Sequence, residues 1–170
     1  MGNIVKVQFT GVHEFEQVLN EMQNDFGEKD QKKILTSAIR KSMAPVLSKA
    51  RQLAPIDTGG LRASLRIEAR KPSRRDKKSI YVNPSDVVIG TVTTASGKQL
   101  AKKKFTNVKT GQKQVGIESD GRAIANEFGT AKMAAKPYMR PSLETTTSSV
   151  LSELSRNLAT QLAKYKSKKA

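Results

Sequence analysis

The 170-residue chain contains no cysteine, no tryptophan and a single histidine, His13. Without cysteine there is no disulfide, no thiolate metal site and no thiol nucleophile. One histidine cannot build a zinc site of two or more imidazoles within a chain, and it leaves Ser/His catalysis one possible base. Aromatic residues make up only 5%, a poor supply for a platform that stacks single-stranded bases. Hydrophobic residues reach 36%, or about 42% with glycine counted, below the roughly 45–50% of ordinary globular domains. The core is therefore modest. No run approaches the ~18 apolar residues of a membrane helix, and Met1-Gly2-Asn3 opens no signal peptide. The length suits one domain, read as residues 1–163 with a basic tail over 164–170. This composition argues against an enzyme and implies no cofactor, metal or membrane partner.

Acidic residues are also scarce: 15 against 31 Lys and Arg, a formal charge of +16. Such a field draws polyanions, whether nucleic acid, an acidic membrane or an acidic protein face. The excess is concentrated. Twelve cations fall between Arg70 and Lys113, with Asp76 and Asp86 as the only acids there. Lys98, Lys102, Lys103, Lys104, Lys109 and Lys113 are the candidate contacts to DNA or to an acidic partner, against the plainer reading of solvated loops. No helix-turn-helix, zinc-finger or RNA-recognition pattern is present, so any nucleic-acid contact would be with phosphates, non-specific and weakened by salt.

Periodicity outlines an α+β chain. Val5, Val7 and Phe9 alternate as in a strand. Phe15, Val18, Leu19, Met22 and Phe26 share one helical face that Gly27 is placed to end. A longer helix from about Lys29 to Ala54 carries Leu35, Ala38, Ile39, Ser42, Met43, Val46, Ala50 and Leu53 on its apolar face, and Pro45 should kink it. Leu61, Leu65 and Ile67 lead into a strand. The β-branched runs Ser79–Val82 and Val87–Val92, joined by the turn Asn83–Asp86, predict an antiparallel hairpin. Residues 94–116 are polar and basic, either a protruding hairpin with Thr110-Gly111 at its tip or a segment ordered on binding. Ile117 begins a short strand, and Arg122–Phe128 reads as a short helix stopped by Gly129. Leu143, Val150, Leu151, Leu154, Leu158, Leu162 and Tyr165 form a 3.6-period stripe, with Ser142 as N-cap and Pro141 as boundary.

Two segments stand out as helix ends joined to tight turns with apolar anchors. The first is Ala54-Pro55-Ile56-Asp57-Thr58-Gly59-Gly60-Leu61-Arg62-Ala63-Ser64-Leu65. The second joins Glu127-Phe128-Gly129-Thr130 to Pro137-Tyr138-Met139-Arg140-Pro141-Ser142-Leu143. Caps, turns and core contacts explain each locally. In this order, however, they resemble the tail-completion proteins of the head–tail neck in long-tailed double-stranded DNA phages, relatives of gene product ten of lambda-like phages. That family carries an A-P-x-D-T-G-x-L-x-x-S-L/I segment, then E-F-G-T, then P-Y/F-x-R-P-A-L. The departures are an added Gly60, Ser142 for alanine, and Ile124-Ala125 for the frequent Tyr-Ala.

The resemblance implies a small antiparallel sheet flanked by the long kinked helix and the C-terminal helix. It further implies a virion protein that forms a sixfold ring of identical copies around the DNA channel, docked on a tail terminator, a head-side connector, or both. Its interface or structural residues would be Pro55, Asp57, Thr58, Gly59, Leu61, Ser64, Glu127, Phe128, Gly129, Thr130, Pro137, Arg140 and Pro141. Glu127 is open to two readings: an exposed helical carboxylate, or a partner for Arg62 or Arg140. Two other functions compete. One is a basic packaging accessory that binds nucleic acid non-specifically; the other is a hydrolase built on Asp57, Thr58 and Ser64, which would have to recruit His13 or a lysine as base.

Overall fold

The computed structural model describes residues 12–79, 82–83, 86–95, 97–117 and 121–169. The expected strand at Val5–Phe9 lies outside them, as do the side chains of His13 and of the Phe15–Phe26 stripe.

Helix α1 (Val12–Ser42) is broken at Gly27, whose φ of 63° and ψ of 161° leave the helical region. Met43 forms a turn, and α2 (Ala44–Leu53) follows with Pro45 in its first turn. The kink falls there because Pro45 has no N–H to give and its ring crowds the carbonyl four residues back. The buried stripe nevertheless runs on through the turn as Leu35, Ala38, Ser42, Val46, Ala50 and Ala54. Leu53, expected on this face, is 40% exposed. Buried positions recur every fourth residue along this stretch, so after Ala50 the next core position falls on Ala54 and not on Leu53.

A short helix, α3 (Gly60–Ser64), includes Leu61 and hands over to β1 (Leu65–Arg70). β1 pairs antiparallel with β2 (Ile89–Thr94), from Leu65 opposite Thr94 to Arg70 opposite Ile89. The expected hairpin between Ser79–Val82 and Val87–Val92 is therefore replaced. Ser79 and Val82 are not in a strand, Ile80 and Tyr81 lie outside the described residues, and β2 starts only at Ile89. Leu-Arg-Ile-Glu-Ala-Arg explains the choice of partner. Its period of two buries Leu65 and Ala69 on one face, while Arg66, Glu68 and Arg70 form a charge ladder on the other, with N···O separations of 3.9 and 3.7 Å. β2 lies directly against the helix: a Cβ on Gly90 would sit 2.5 Å from Ile39 Cγ2.

The connection from Lys71 to Val88 is stiffened near its start. Arg70 makes a two-point contact with Asp76 at 2.6 and 3.2 Å, and the Ser73 N–H donates to the same carboxylate at 2.6 Å. The guanidinium and these donors hold the Asp76 carboxyl well below the usual range. After β2 come α4 (Gly97–Leu100) and a second two-stranded antiparallel sheet, β3 (Lys104–Thr106) with β4 (Lys113–Val115). Of the two alternatives for 94–116, this segment is thus a hairpin. Ile117 is not in a strand. Then follow α5 (Gly121–Phe128) and the long α6 (Met139–Lys169).

α6 packs antiparallel along α1 and α2: Tyr138 and Met139 meet Ala50 and Ala54 at one end, and Asn157 Nδ2 donates to Ser42 Oγ at 3.2 Å further along. The result is an α+β fold of two small antiparallel sheets with a long bent helix and a C-terminal helix. α6 starts two residues before the expected Pro141. Ser142 is not its cap but a fully buried residue donating to Met139 O at 2.6 Å. Pro141 is tolerated because it falls in the first turn, where its missing N–H is not needed.

Candidate functional site

The first motif segment ends at Leu65 and the other two begin at Glu127 and Pro137, yet all three meet at one end of the helix pair. Ala50, Ala54, Leu65 and Tyr138 form a buried cluster, with Leu47, Leu61, Val92 and Met139 packed around it. Among the described residues Tyr138 is the largest fully buried side chain, and its central place was not legible from local pattern.

The first segment forms a corner. Ala54 N–H closes the last turn of α2 on Ala50 O at 2.9 Å, and Pro55 prevents continuation. The carbonyls left at that end are taken by Arg62, which donates to Ala54 O at 3.2 Å and to Gln52 O at 3.1 Å. Gly59 has φ 88°, and a Cβ there would press on Val108 Cγ2 at 3.1 Å. The hairpin tip rests on this corner: Val108 N–H donates to Thr58 O at 3.1 Å, and Lys109 forms an ion pair with Asp57. The hydrogen bond and charge of Lys109 lower the Asp57 pKa, with a smaller contribution from Arg122.

The second segment is organised by Glu127. This carboxylate is 4% exposed, so the exposed reading is wrong; of the two arginines considered, Arg140 is its partner. Oε2 accepts from the backbone N–H of Tyr138 at 2.8 Å and Met139 at 2.9 Å, and Oε1 from that of Arg140 at 3.1 Å. The Arg140 guanidinium adds a contact at 3.2 Å. Glu127 thus caps α6 from another helix, satisfying donors that every helix start leaves unpaired. Burial pushes its pKa up, but the N–H donors of Met139, Tyr138 and Arg140, with the guanidinium, outweigh it and the net shift is downward. The capping residue precedes the capped helix by a whole loop, which is why no local motif revealed it.

Gly129 makes that loop possible. Its φ is 77°, its N–H closes α5 on Ala125 O, and a Cβ would meet Ala135 N and Met133 O at 2.9 Å. Thr130 and Met133 then form a tight turn, Thr130 N–H donating to Met133 O at 2.8 Å. Pro137 is exposed and Pro141 half-buried. Phe128 stays 68% exposed, with the Arg140 guanidinium 5.3 Å from its ring centre.

The candidate basic contacts are dispersed. Lys98, Lys102, Lys104 and Lys113 are exposed, Lys103 is half-buried, and Lys109 is engaged with Asp57. Lys104 and Lys113 share one face of the β3–β4 ribbon, diagonal across the pair.

The hydroxyls suggested for hydrolysis serve the backbone. Thr58 Oγ1 accepts from Gly60 N–H at 3.3 Å, and Ser64 Oγ donates to Leu61 O at 2.7 Å. Among the described residues no three His, Cys, Asp or Glu side chains group as a metal site, and no helix is long and apolar enough to cross a membrane. An open groove of about 540 Å3 runs along α2, but its arginines, Arg51 and Arg62, are tied to the carbonyls of Leu65, Ala54 and Gln52.

These features define a structural building block, in which polar side chains fix corners and caps. The chain belongs to a family of phage tail components: the family model described as "Bacteriophage HK97-gp10, putative tail-component" matches residues 16–122. That range takes in the Ala54–Leu65 corner and both sheets, and ends before Glu127. No curated protein and no solved structure matches the chain. As a phage tail component the protein has a structural role in the virion.

Proposed function

We propose that this tail component acts at the neck, completing the tail and joining it to the head. Identical copies form a ring, a homo-hexamer, around the DNA channel, and the ring docks on the tail terminator, the head-side connector, or both. The observation that supports this best is the convergence of the three motif segments on one corner. Family-like residues there are spent on rigidity, through the Gly59 turn, the Gly129 loop and the Glu127 cap, while Ile56, Ile124, Phe128 and Leu143 remain exposed around it. A rigid corner with apolar outer positions suits assembly between subunits. Native mass spectrometry of the purified chain with its neck partners tests the reading. Ring-sized oligomers or complexes are expected; a chain that stays monomeric with those partners present refutes it.

The exposed Lys102, Lys104 and Lys113 favour a second reading, a non-specific nucleic-acid-binding packaging accessory. It requires affinity for random duplex that falls steeply with salt. Absence of binding at low salt removes it.

A further inference from the structure

One basic surface takes no part in the corner, the cap or the β3–β4 ribbon. From Arg70 to Lys78, six cations fall within nine residues, with Asp76 as the only acid. Blocks of like charge ordinarily stay disordered, but this one is folded. Pro72 is buried. The Ser73 N–H donates to the Asp76 carboxylate at 2.6 Å, and the Asp76 N–H donates back to Ser73 Oγ at 3.3 Å. The N–H groups of Lys77, Lys78 and Ser79 then close the turn on the carbonyls of Ser73, Arg75 and Asp76 at 3.2, 3.1 and 2.9 Å.

The same contacts sort the charge of the loop. Both Asp76 oxygens are occupied by Arg70, and one of them also by the Ser73 N–H. The neighbouring acids are engaged as well: Glu68 lies between Arg66 and Arg70, and Asp86 accepts from the Asn83 N–H at 2.9 Å. Lys71, Arg74, Arg75, Lys77 and Lys78 are left outside, all exposed. The loop leaves β1 at Arg70, opposite Ile89, whereas the corner and the ribbon lie at the Leu65 end, where Phe105 approaches Gly60. Six residues of strand set those ends about 17 Å apart. Contacts made through the corner therefore do not occupy the loop.

What the loop lacks identifies the partner. Besides the five cations only Ser73 and Ser79 are exposed, and no apolar or aromatic side chain accompanies them. A protein interface needs an apolar centre and is depleted in lysine there, and single-stranded bases need an aromatic face to stack on. The phosphates of a duplex need neither, since Lys and Arg hold them by charge without reading sequence. We propose that the Lys71–Lys78 loop is a contact for the phosphates of duplex DNA, held in its binding form by the Asp76–Arg70 pair. Because the loop is already folded, little backbone freedom is lost on contact. The inference rests on the chain meeting duplex DNA, as the second reading above requires and a ring around DNA permits, and it places that contact on the loop instead of the ribbon lysines.

The test measures the affinity of the full chain for a short random duplex over a series of salt concentrations. Wild type should bind, its log affinity falling linearly with log salt. Lys71→Gln, Arg74→Gln, Arg75→Gln and Lys78→Gln together should reduce that slope by about three to four and weaken binding at low salt at least about tenfold. Lys29→Gln, Lys132→Gln, Lys136→Gln and Lys164→Gln remove the same charge from other exposed positions and should change the slope by less than about one. Circular dichroism confirms that both sets fold. Equal losses from the two sets would mean a diffuse field and overturn the loop contact. A larger loss from Lys98→Gln, Lys102→Gln, Lys104→Gln and Lys113→Gln than from the loop set moves the contact to the ribbon; that also overturns it, while duplex binding stands. Poly-glutamate bound as tightly as duplex at the same salt, and released by the loop set, identifies an acidic protein as the partner and overturns the phosphate contact. A wild type that binds no duplex at low salt overturns both this contact and the nucleic-acid reading, and leaves the neck ring untouched.

Discussion

Replacing Glu127 by alanine removes the acceptor for three backbone N–H groups at the start of α6, one of them on fully buried Tyr138. Loss of an ordinary N-cap costs about 0.5–2 kcal/mol. A hydrogen bond to an ionised group contributes about 1.5–3 kcal/mol, and a buried donor left unpaired carries its desolvation cost. The terms do not simply add, since water can reach the half-exposed Met139 and Arg140 donors. A loss of about 3–5 kcal/mol follows, a large part of the roughly 5–15 kcal/mol that holds a domain together. Glu127→Gln keeps one acceptor but turns an NH2 toward a donor, and should cost about 1–3 kcal/mol. Arg140→Ala removes a guanidinium whose side chain is 59% exposed, and should cost under about 1 kcal/mol. Urea unfolding followed by circular dichroism ranks the three. The Glu127 pKa is lowered in the folded state, so its contribution is full above the unfolded value of about 4.3 and is lost as the pH falls through the lower folded value. Wild type should therefore lose stability on acidification below about pH 5 more steeply than Glu127→Gln. Glu127→Ala within 1 kcal/mol of wild type, or Arg140→Ala equally costly, would refute the cap.

Gly129→Ala should destabilise by about 2–4 kcal/mol in the same assay, combining a left-handed backbone with a Cβ driven into backbone atoms; no change in midpoint would mean that the loop relaxes freely. Gly90→Ala should cost about 1–3 kcal/mol by overpacking against Ile39 and Met43, seen as a lower melting temperature. Leu61→Asp places a carboxylate against the Tyr138 cluster and should cost several kcal/mol; on the proposed function it also gives particles whose heads and tails fail to join, and normal infectivity counts against that role.

Much of the fold was written in local chemistry. Gly27, Pro45 and Pro55 interrupt helices through their own backbone properties, Gly129 stops α5, and the periodicity after Pro141 located α6 with its start displaced by two residues, although Leu143, expected on its apolar stripe, is 47% exposed and the side chains of Leu162 and Tyr165 lie outside the described residues. The site was legible only as motif segments. Composition left few ways to do catalysis, and the order of short segments pointed to the family that the 16–122 match shows.

Sequence alone determined where this chain turns, because a turn depends on the steric freedom of the residues in it. Tertiary structure decided what each turn meets. The strand partner of Ile89–Thr94 is Leu65–Arg70 because that strand presents a matching apolar face, though another run lies nearer in sequence. Glu127 became a buried cap instead of a surface charge because α5 ends beside the start of α6. Those outcomes depend on which surfaces arrive together in space, and periodicity along one segment carries no information about the segment that will lie across from it.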